Sequence, residues 1–453
     1  MTDIEFAWSE LGGDPALLAR VSTVARRDTL PARLPVRELA RASVGVCALA
    51  AAELGARRAG LAEVPRVRLD DGAVATAFAS ERHLLVDGRA PDTFAPLSRF
   101  WRTADGWVRT HANYPHHRER LLRALDLPED PAAVEAALAE RSALEVEETV
   151  YAAGGLAVAV RTPAEWAAHE QAAAIVRRPL VETERLDTAR ARVLPSLTGS
   201  PLLPAAGLRV LDLTRVIAGP VATRTLALLG ADVLRLDAPG SAELPDQHAD
   251  TGFGKRSATL DLAVGRRTFE ELLAAADIVV TGYRPGALDR FGLSPEALAE
   301  RRPGLVVAQL SAWGAYGPWA GRRGFDSLVQ AATGIAAVEG SPERPGALPA
   351  QALDHGTGHL MAAAVLRALT EQSSEGYGRV VRLALARTAA WLTDGIEPGG
   401  AGLGDGLPQS WLAETDSPIG RLRYALPPVS FDGGPGDWAR PPGPWGADPA
   451  RWA

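Results

Sequence analysis

The chain has 453 residues, of which 47% are hydrophobic and 23% charged, so it can bury a sizeable core and exceeds one ordinary domain. Its formal net charge of -7 excludes the basic surface on which nucleic-acid binding depends. The first residues, MTDIEFAWSELGGD, carry acids where a signal peptide carries Lys or Arg, and Arg or Glu interrupts the apolar stretches. We therefore expect a cytoplasmic protein with no nucleic-acid partner and no membrane association.

The first part of the chain, residues 1–195, has the pattern of an α+β region. Apolar residues recur at helical spacing over residues 36–58, and the runs VRLDDG, AVATAF and HLLVDG that follow resemble short strands. The segment FWRTADGWVRTHANYPHHRERLLRALDL predicts a turn at Asp105-Gly106, a strand, a histidine-bearing loop and a helix. Two Ala- and Glu-rich stretches, PAAVEAALAERS and TPAEWAAHEQAAAIV, predict further helices.

After a linker over residues 185–206, strands and helices alternate. LRVLDLT, VATRTLALLG and ADVLRLDAP predict a βαβ unit, and the alternation continues through DIVVTGY and GLVVAQLSAW. The sequence therefore predicts an α/β fold, with a Rossmann-like parallel sheet and flanking helices over 196–394 and a smaller α+β domain before it. The Gly-, Pro- and Trp-rich segment 395–453 predicts an irregular tail that wraps the surface.

Two loops of the α/β region resemble nucleotide-binding loops only in part. The loop Thr214 to Pro220 lacks the pattern G-x-G-x-x-G, so we do not expect NAD, although Asp237 stands where a ribose-binding acid would lie. Lys255, the only lysine, lies in TGFGKRS, which fails the Walker pattern because Arg256 precedes the serine. The pair Lys255-Arg256 could hold phosphate groups, or it could be a solvated basic turn.

Two groups of histidines are candidate ligands. On a helix, His355 and His359 would share one face, but Gly356 and Gly358 argue against a helix there and no third ligand is evident, so we expect no metal. The second group consists of His111, His116 and His117. A position in a polar loop or a helix cap explains these histidines more simply than a metal site does.

Five segments between about residues 208 and 390 carry a more specific signal when they are taken together. In chain order they are VLDLTRVIAGPVATRTLALLGADVLRLDAPGS, GKRSATLDL, ADIVVTGYRPGALDRFGL, SAWGAYGPWAGRRGFDSLVQAATG and LDHGTGHLMAAAVLRAL. They resemble the family III CoA-transferases, the group that includes formyl-CoA transferase and the carnitine CoA-transferases. The resemblance implies an enzyme of acyl-CoA metabolism that moves coenzyme A between an acyl-CoA and a free carboxylic acid, with coenzyme A entering as acyl-CoA.

The resemblance also implies roles for individual residues. The family's nucleophilic aspartate matches Asp354, which would form a mixed anhydride and then an aspartyl thioester. The amides of Gly356 and Gly358 would approach the developing oxyanion. The positions that contact CoA in the family match Val216, Ala218, Lys255, Leu260, Asp261, Gly282, Tyr283, Arg284, Arg290 and Arg323. The chain departs from the family at Ala238, where some members have a basic residue, and at Gly282, where Asn is frequent.

Residues 1–195, called the front half below, contain segments in an order that is unusual for this family. RTADGWV and TPAEWAAHEQAAAIVRRPLV resemble its distal small domain, which normally follows the catalytic helix. RASVGVCALAAAELGA resembles the helix after the catalytic aspartate, but no such aspartate precedes it. The resemblance therefore implies a rearranged copy fused before one complete active region, with a single nucleophile. It also implies a homodimer, unless the fused region replaces the partner.

Two alternatives to a CoA-transferase remain open. Acyl-CoA racemases of the same fold use a His before an Asp-Asn-Tyr run, whereas this chain has Gly324-Phe325-Asp326-Ser327 there without that His. A CoA-binding protein without catalysis is the second alternative, and the intact Asp354 speaks against it. The sequence does not identify the donor and acceptor acids.

Overall fold

The computed structural model describes residues 1–453 except positions 192, 342, 401 and 403. Its strands are β1 (Val21–Val24), β2 (Val67–Asp70), β3 (Leu85–Val86), β4 (Phe100–Arg102), β5 (Trp107–Thr110), β6 (Ala157–Ala159), β7 (Glu182–Arg185), β8 (Arg209–Leu213), β9 (Asp232–Asp237), β10 (Arg256–Thr259), β11 (Ile278–Thr281), β12 (Val306–Ser311), β13 (Arg379–Ala384), β14 (Leu412–Ser417) and β15 (Gly420–Ala425). Its α-helices are α1 (Asp3–Glu10), α2 (Val36–Ala59), α3 (Asp71–Phe78), α4 (Ser80–His83), α5 (Pro115–Leu125), α6 (Pro131–Ala139), α7 (Ala143–Ala152), α8 (Pro163–Ala167), α9 (Glu170–Val176), α10 (Ala218–Leu228), α11 (Pro245–Thr251), α12 (Arg266–Ala274), α13 (Pro295–Arg301), α14 (Asp326–Ala332), α15 (Ile335–Glu339), α16 (Ala352–Glu375) and α17 (Leu385–Asp394).

The predicted α/β fold class is confirmed by a seven-stranded sheet with helices against it. The strands lie in the order β10-β9-β8-β11-β12-β13-β7. Neighbours from β10 to β13 are parallel, and β7 from the front half joins β13 antiparallel. Residues such as Ile278 and Val306 are fully buried, as expected where helices cover both faces. The strand order reverses between β8 and β11, and a ligand is expected beyond the carboxyl ends of the strands there.

Helices α2 and α16 lie side by side in the core. Each has 24 residues, and the Ala-rich sequence of both permits close packing. Helix α2 is long and apolar enough to cross a membrane, but 89% of its most apolar window is buried inside the protein. The front half also contains a second strand–helix–strand unit like one in the large sheet. The parallel strands β1 and β2 precede and follow α2 along the chain, as the parallel strands β12 and β13 precede and follow α16.

A smaller α+β unit lies within the front half. Strands β4, β5 and β6 form an antiparallel sheet whose buried core includes Trp101, Val108 and Leu121. The predicted turn at Asp105-Gly106 connects β4 and β5, and the predicted helix after the histidines is α5. One expectation is wrong: the run AVATAF lies in α3 and is not a strand. The side chain of Asp70 accepts from the Gly72 amide and caps that helix, which the residue alternation alone did not reveal.

The tail is more regular than its composition suggests. Strands β14 and β15 form a hairpin that adds to β3 of the front half. Beyond the hairpin the chain packs on the α/β region: the indole N–H groups of Trp438 and Trp452 donate to the carbonyls of Arg224 (2.9 Å) and Leu272 (3.0 Å). A third strand from a distant part of the chain, β3, pairs with β15 and stabilises the hairpin as a three-stranded sheet.

Candidate active site

A cleft of about 530 Å³ lies beyond the carboxyl ends of β8, β11 and β12. Asp354, the third residue of α16, lines it. All the residues predicted to contact CoA, except Lys255, line it as well: Val216, Ala218, Leu260, Asp261, Gly282, Tyr283, Arg284, Arg290 and Arg323. The front half contributes Tyr114, His116 and His117 to the same cleft. Residues that are far apart in sequence therefore form one concave site.

Asp354 is held by a second carboxylate. Asp354 is only 6% exposed, and its backbone amide donates to Oδ2 of Asp326 at 2.9 Å. Gln351, the residue before α16, provides no side-chain cap. Asp326 therefore accepts the amide that a local cap would otherwise satisfy, and the Gln330 side chain donates to its other oxygen. The position of the candidate nucleophile thus depends on α14.

The surroundings disfavour a charge on Asp354. Burial, followed by the nearby charges of Asp326 and Glu81, raises the pKa of Asp354 well above its ordinary value. Burial also raises the pKa of Asp326 to about 6, although hydrogen bonds from the amides of Asp354 and Leu353 and from Gln330 oppose the shift. Ionised Asp354 is consequently more basic than an exposed carboxylate.

Front-half residues also hold the side chains that follow Asp354. Glu81 Oε2 lies 3.1 Å from Nε2 of His355, and both residues are buried. The ring of Phe78 stacks on the rings of His355 and His359, with centroids 5.3 and 5.9 Å apart. The two histidines therefore share a helical face, contrary to the expectation that the neighbouring glycines would interrupt the helix.

The two glycines predicted to assist catalysis do not have the expected geometry. Gly356 and Gly358 are buried inside α16, where amides donate to carbonyls four residues earlier. A Cβ at Gly358 would lie 2.5 Å from the Ala218 carbonyl oxygen, whereas one at Gly356 would lie 3.5 Å from Leu39. The predicted oxyanion role is therefore corrected, because these amides are committed to the helix. Gly358 permits the close approach of α16 to α10.

Lys255 also requires a correction. Its side chain is 2% exposed, and its Nζ contacts Asp212 Oδ2 (3.0 Å), the Pro220 carbonyl oxygen (2.9 Å) and Thr223 Oγ1 (2.6 Å). Three short contacts occupy the three donors of an ammonium group. Lys255 therefore links β10 to β8 and α10 beneath the cleft, and it has no donor left for a phosphate.

Arginines make the cleft electropositive. Within the described ranges, Arg284, Arg290 and Arg323 have no carboxylate within 4.0 Å, in contrast to Arg322, which pairs with Glu147 at 3.1 Å. Such guanidinium groups suit the phosphates of a nucleotide. Asp237 is not free for a ribose, because its Oδ1 accepts from the Arg235 guanidinium (3.1 Å) and its Oδ2 accepts from the Trp445 indole (2.9 Å).

The first loop of the site has a constrained backbone. Val216 has φ 72°, an unusual conformation for a β-branched residue. Its amide donates to Glu243 Oε2 at 3.0 Å, and the Tyr114 hydroxyl donates to the other oxygen of Glu243. Glu243 thereby connects the first loop of the cleft to the front half, and its contacts hold Val216 in this unusual conformation.

Sequence reasoning missed several of these residues. Asp326 was noted only as part of GFDS, and Glu81 and Glu243 were not singled out at all. Glu81 meets His355 across 274 positions, and Tyr114 meets Glu243 across 129. No local pattern indicates such pairs, because neither glutamate has neighbours in sequence that distinguish it from a solvated charge.

Comparison with known proteins identifies the family. The model of CoA-transferase family III matches residues 18–193 and 205–398. The chain belongs to CoA-transferase family III. A probable fatty acyl-CoA transferase (Rv3272) of Mycobacterium tuberculosis is 36% identical over 211 residues, which are 43% of this chain and 54% of the relative. A formyl-CoA:oxalate CoA-transferase of Streptomyces coelicolor is 35% identical over 193 residues, 40% and 47% of the two chains.

The similarity to solved structures is also partial. The crystal structure of Rv3272 covers 42% of this chain and 57% of its own, with 36% identity and a TM-score of 0.40. The acetyl-coenzyme A transferase nodX of Hypoxylon pulicicidum is 32% identical over 260 residues, 53% of this chain and 43% of the relative. The chain spans about half the length of the curated relatives it matches.

Proposed function

We propose that the protein transfers coenzyme A from an acyl-CoA to a free carboxylic acid, and that Asp354 carries the acyl group. The observation that supports this most is the position of Asp354 in the cleft that the predicted CoA contacts line. Membership of CoA-transferase family III supports the same chemistry. Arg284 and Arg290, which form no ion pair with the residues that the structure describes, provide the charge that the nucleotide end of CoA requires.

The proposed reaction preserves the thioester bond energy. The Asp354 carboxylate attacks the thioester carbonyl, so that a C–O bond forms, the C–S bond breaks and CoA leaves as thiolate. The thiolate attacks the aspartyl carbonyl and releases the donor acid. The acceptor carboxylate then attacks the aspartyl thioester, and the returning thiolate takes the new acyl group and frees Asp354. No oxidant and no net proton are needed.

The surroundings of Asp354 suit an intermediate that water would destroy. The residue is only 6% exposed, which limits hydrolysis of an anhydride. The raised pKa increases the basicity of the ionised carboxylate, although a smaller fraction is ionised at a given pH. The first-turn amide of Asp354 is held by Asp326, so the carboxylate projects from a fixed helix start.

The test replaces the candidate nucleophile by its isostere. Asp354→Asn should lower CoA transfer by about 10³-fold or more, because the nucleophile is lost. CoA binding by calorimetry should stay within about twofold, since the CoA contacts lie on other loops. Mass spectrometry of the wild-type protein with an acyl-CoA should detect an adduct that the variant lacks. Near-normal turnover in Asp354→Asn would overturn the role of this residue.

The same assay separates the alternatives. A panel of acyl-CoAs and free acids is incubated in D₂O, and products are read by mass spectrometry. Exchange of the α-proton without CoA transfer would favour a racemase. CoA binding with neither reaction would favour a protein that binds CoA without catalysis.

A further inference from the structure

The end of the chain lies against one wall of the cleft. Residues 440–453 follow the part of the chain that matches the family model, which ends at position 398. The Asp448 amide donates to the Ser257 carbonyl of β10 at 2.8 Å, and the Gly446 amide donates to the Ser257 hydroxyl at 2.9 Å. The ends of β9 and β10 form a wall of the cleft with Leu236, Ala238, Leu260 and Asp261. This segment is therefore next to the cleft although the family pattern does not include it.

Trp445 connects the segment to a buried carboxylate. Its indole N–H donates at 2.9 Å to Oδ2 of Asp237, which is the last residue of β9. Asp237 is only 2% exposed, so water does not readily replace a donor that this carboxylate loses. The indole therefore supplies one of the donors that keep the Asp237 carboxylate in place.

The guanidinium of Arg235 lies between Asp237 and Glu243. Its Nη2 donates to Oδ1 of Asp237 and to Oε2 of Glu243, both at 3.1 Å. Its Nε lies 2.7 Å from Oδ2 of Asp237 but forms no hydrogen bond with the residues that the structure describes. All three side chains are at most 1% exposed. The orientation of the guanidinium therefore depends on the other donors that each carboxylate has.

Glu243 in turn holds the first loop of the cleft. Its Oε2 accepts from the Val216 amide at 3.0 Å, and its other oxygen accepts from the Tyr114 hydroxyl. Burial opposes the ionisation of Glu243, but the charges of Arg235 and Arg215 lower its pKa, so it is a carboxylate at neutral pH. Val216 has φ 72°, which a β-branched residue keeps only where its surroundings hold it. A weaker contact with Glu243 would let this loop change shape.

We propose that Trp445 is a positioning residue for coenzyme A, although it does not line the cleft itself. Through the buried chain of Asp237, Arg235 and Glu243, it keeps the first loop in the conformation that receives coenzyme A. Without the indole donor, Arg235 can align its Nε with Oδ2 of Asp237, which draws Nη2 away from Glu243. The inference rests on the proposed binding of coenzyme A in the cleft.

Two tryptophans near the end of the chain provide matched variants. Trp445→Phe and Trp452→Phe each keep a ring and lose one indole hydrogen bond, because the Trp452 indole donates to the Leu272 carbonyl at 3.0 Å. Both residues are half-buried, so the two variants should unfold at similar temperatures. By calorimetry, coenzyme A should bind about tenfold more weakly to Trp445→Phe than to the wild type, because the loop must be reshaped on binding. Its affinity for Trp452→Phe should stay within about twofold of the wild type.

Two further measurements separate positioning from a loss of stability. Where transfer is measured, Trp445→Phe should raise KM for the acyl-CoA and leave kcat within about twofold, because Asp326 holds Asp354 independently. Glycine adopts a positive φ without the cost that valine incurs. In a Val216→Gly background, Trp445→Phe should therefore change the coenzyme A affinity by less than about twofold.

Each outcome decides the inference. Equal coenzyme A affinities of Trp445→Phe and Trp452→Phe would overturn it, as would an undiminished effect of Trp445→Phe in the Val216→Gly background. Asp237→Asn interrupts the same chain at the next residue and should also weaken binding, so the inference is tested even if Trp445→Phe does not fold. Failure of the wild type to bind coenzyme A would instead contradict the proposed function.

Discussion

At the scale of single residues, the site depends on paired buried charges. Asp354 and Asp326 are both buried; burial and the charge of Asp326 raise the pKa of Asp354, and burial raises the pKa of Asp326 to about 6. Lys255 and Asp212 form the opposite arrangement, a buried ion pair beneath the cleft. Removing the charge of Asp326 should therefore lower the pKa of Asp354. Removing Lys255 should instead leave the charge of Asp212 buried without its partner.

The pH dependence of transfer tests the carboxylate pair. Only ionised Asp354 can attack, so the rate should fall as pH decreases through its raised pKa. Asp326→Asn removes a negative charge, which lowers the pKa of Asp354 and should move the acid limb of kcat/KM to lower pH. Glu81 still faces the site and leaves part of the shift in place. An unmoved acid limb in a folded variant would contradict this coupling.

The ion pair beneath the cleft is tested by stability. Lys255→Met leaves Asp212 buried and uncompensated and should lower the free energy of unfolding by about 3 kcal/mol in denaturant titrations. Adding Asp212→Asn to this variant should recover part of the loss, because the neutral amide oxygen can still accept from Thr214 while the amide nitrogen can donate to the Thr223 hydroxyl. A soluble Lys255→Met protein of normal stability that has lost CoA affinity would instead support the interpretation that Lys255 binds a phosphate of CoA.

At the scale of elements, the contact between α16 and α10 connects the helix that carries Asp354 to the first loop of the cleft. Helix α10 begins at Ala218, which lines the cleft, and its first carbonyl lies against Gly358 of α16. Small residues let these helices approach closely, so the distance between Asp354 and the first loop is fixed by packing.

Two glycines of α16 provide a matched test of this contact. Gly358→Ala places a Cβ 2.5 Å from the Ala218 carbonyl oxygen and should destabilise the protein by about 1–3 kcal/mol. Gly356→Ala meets only Leu39 at 3.5 Å, and the gain in helix propensity should leave stability unchanged or raise it by up to about 1 kcal/mol. Thermal and denaturant unfolding measure both variants. Similar effects of the two substitutions would contradict the packing role of Gly358.

At the scale of the whole molecule, two parts of one chain form a single cleft. Glu38 is the third residue of α2, as Asp354 is of α16, but it contacts Arg37 at 2.6 Å and the Gly399 amide at 3.2 Å. Glu38 does not line the cleft. Helix α2 of the front half therefore packs against α16, while Glu81, Tyr114 and His117 of the front half contribute contacts around the cleft.

The tail protects an edge of the large sheet. Ala447 bridges Ala258 of the edge strand β10, and the Asp448 amide donates to the Ser257 carbonyl at 2.8 Å. Removing residues 443–453 should expose this edge and lower the unfolding temperature, with aggregation visible by light scattering. Trp445→Phe is the smaller control, because it loses only the hydrogen bond to Asp237, worth about 1 kcal/mol. A truncated protein as stable and soluble as the full chain would contradict a protective tail.

The sequence by itself determined the α/β class, the family and the positions that line the cleft. Apolar strand periods and consecutive loop motifs are local properties, so residues such as Val216, Arg290 and Asp354 could be named without coordinates. Helix α3 was missed because an Asp70 cap decides between strand and helix for a short apolar run.

Only the tertiary structure decided the surroundings of those positions. It placed the sole lysine in a buried ion pair, enclosed Gly356 and Gly358 in a helix, and brought Glu81 from the front half to His355. Burial and long-range pairing determine whether a charged side chain faces a ligand or an internal partner, and neither is encoded in local spacing. The residues that line the candidate site could therefore be predicted from the sequence. The buried groups that surround them and shift the pKa of Asp354 could not.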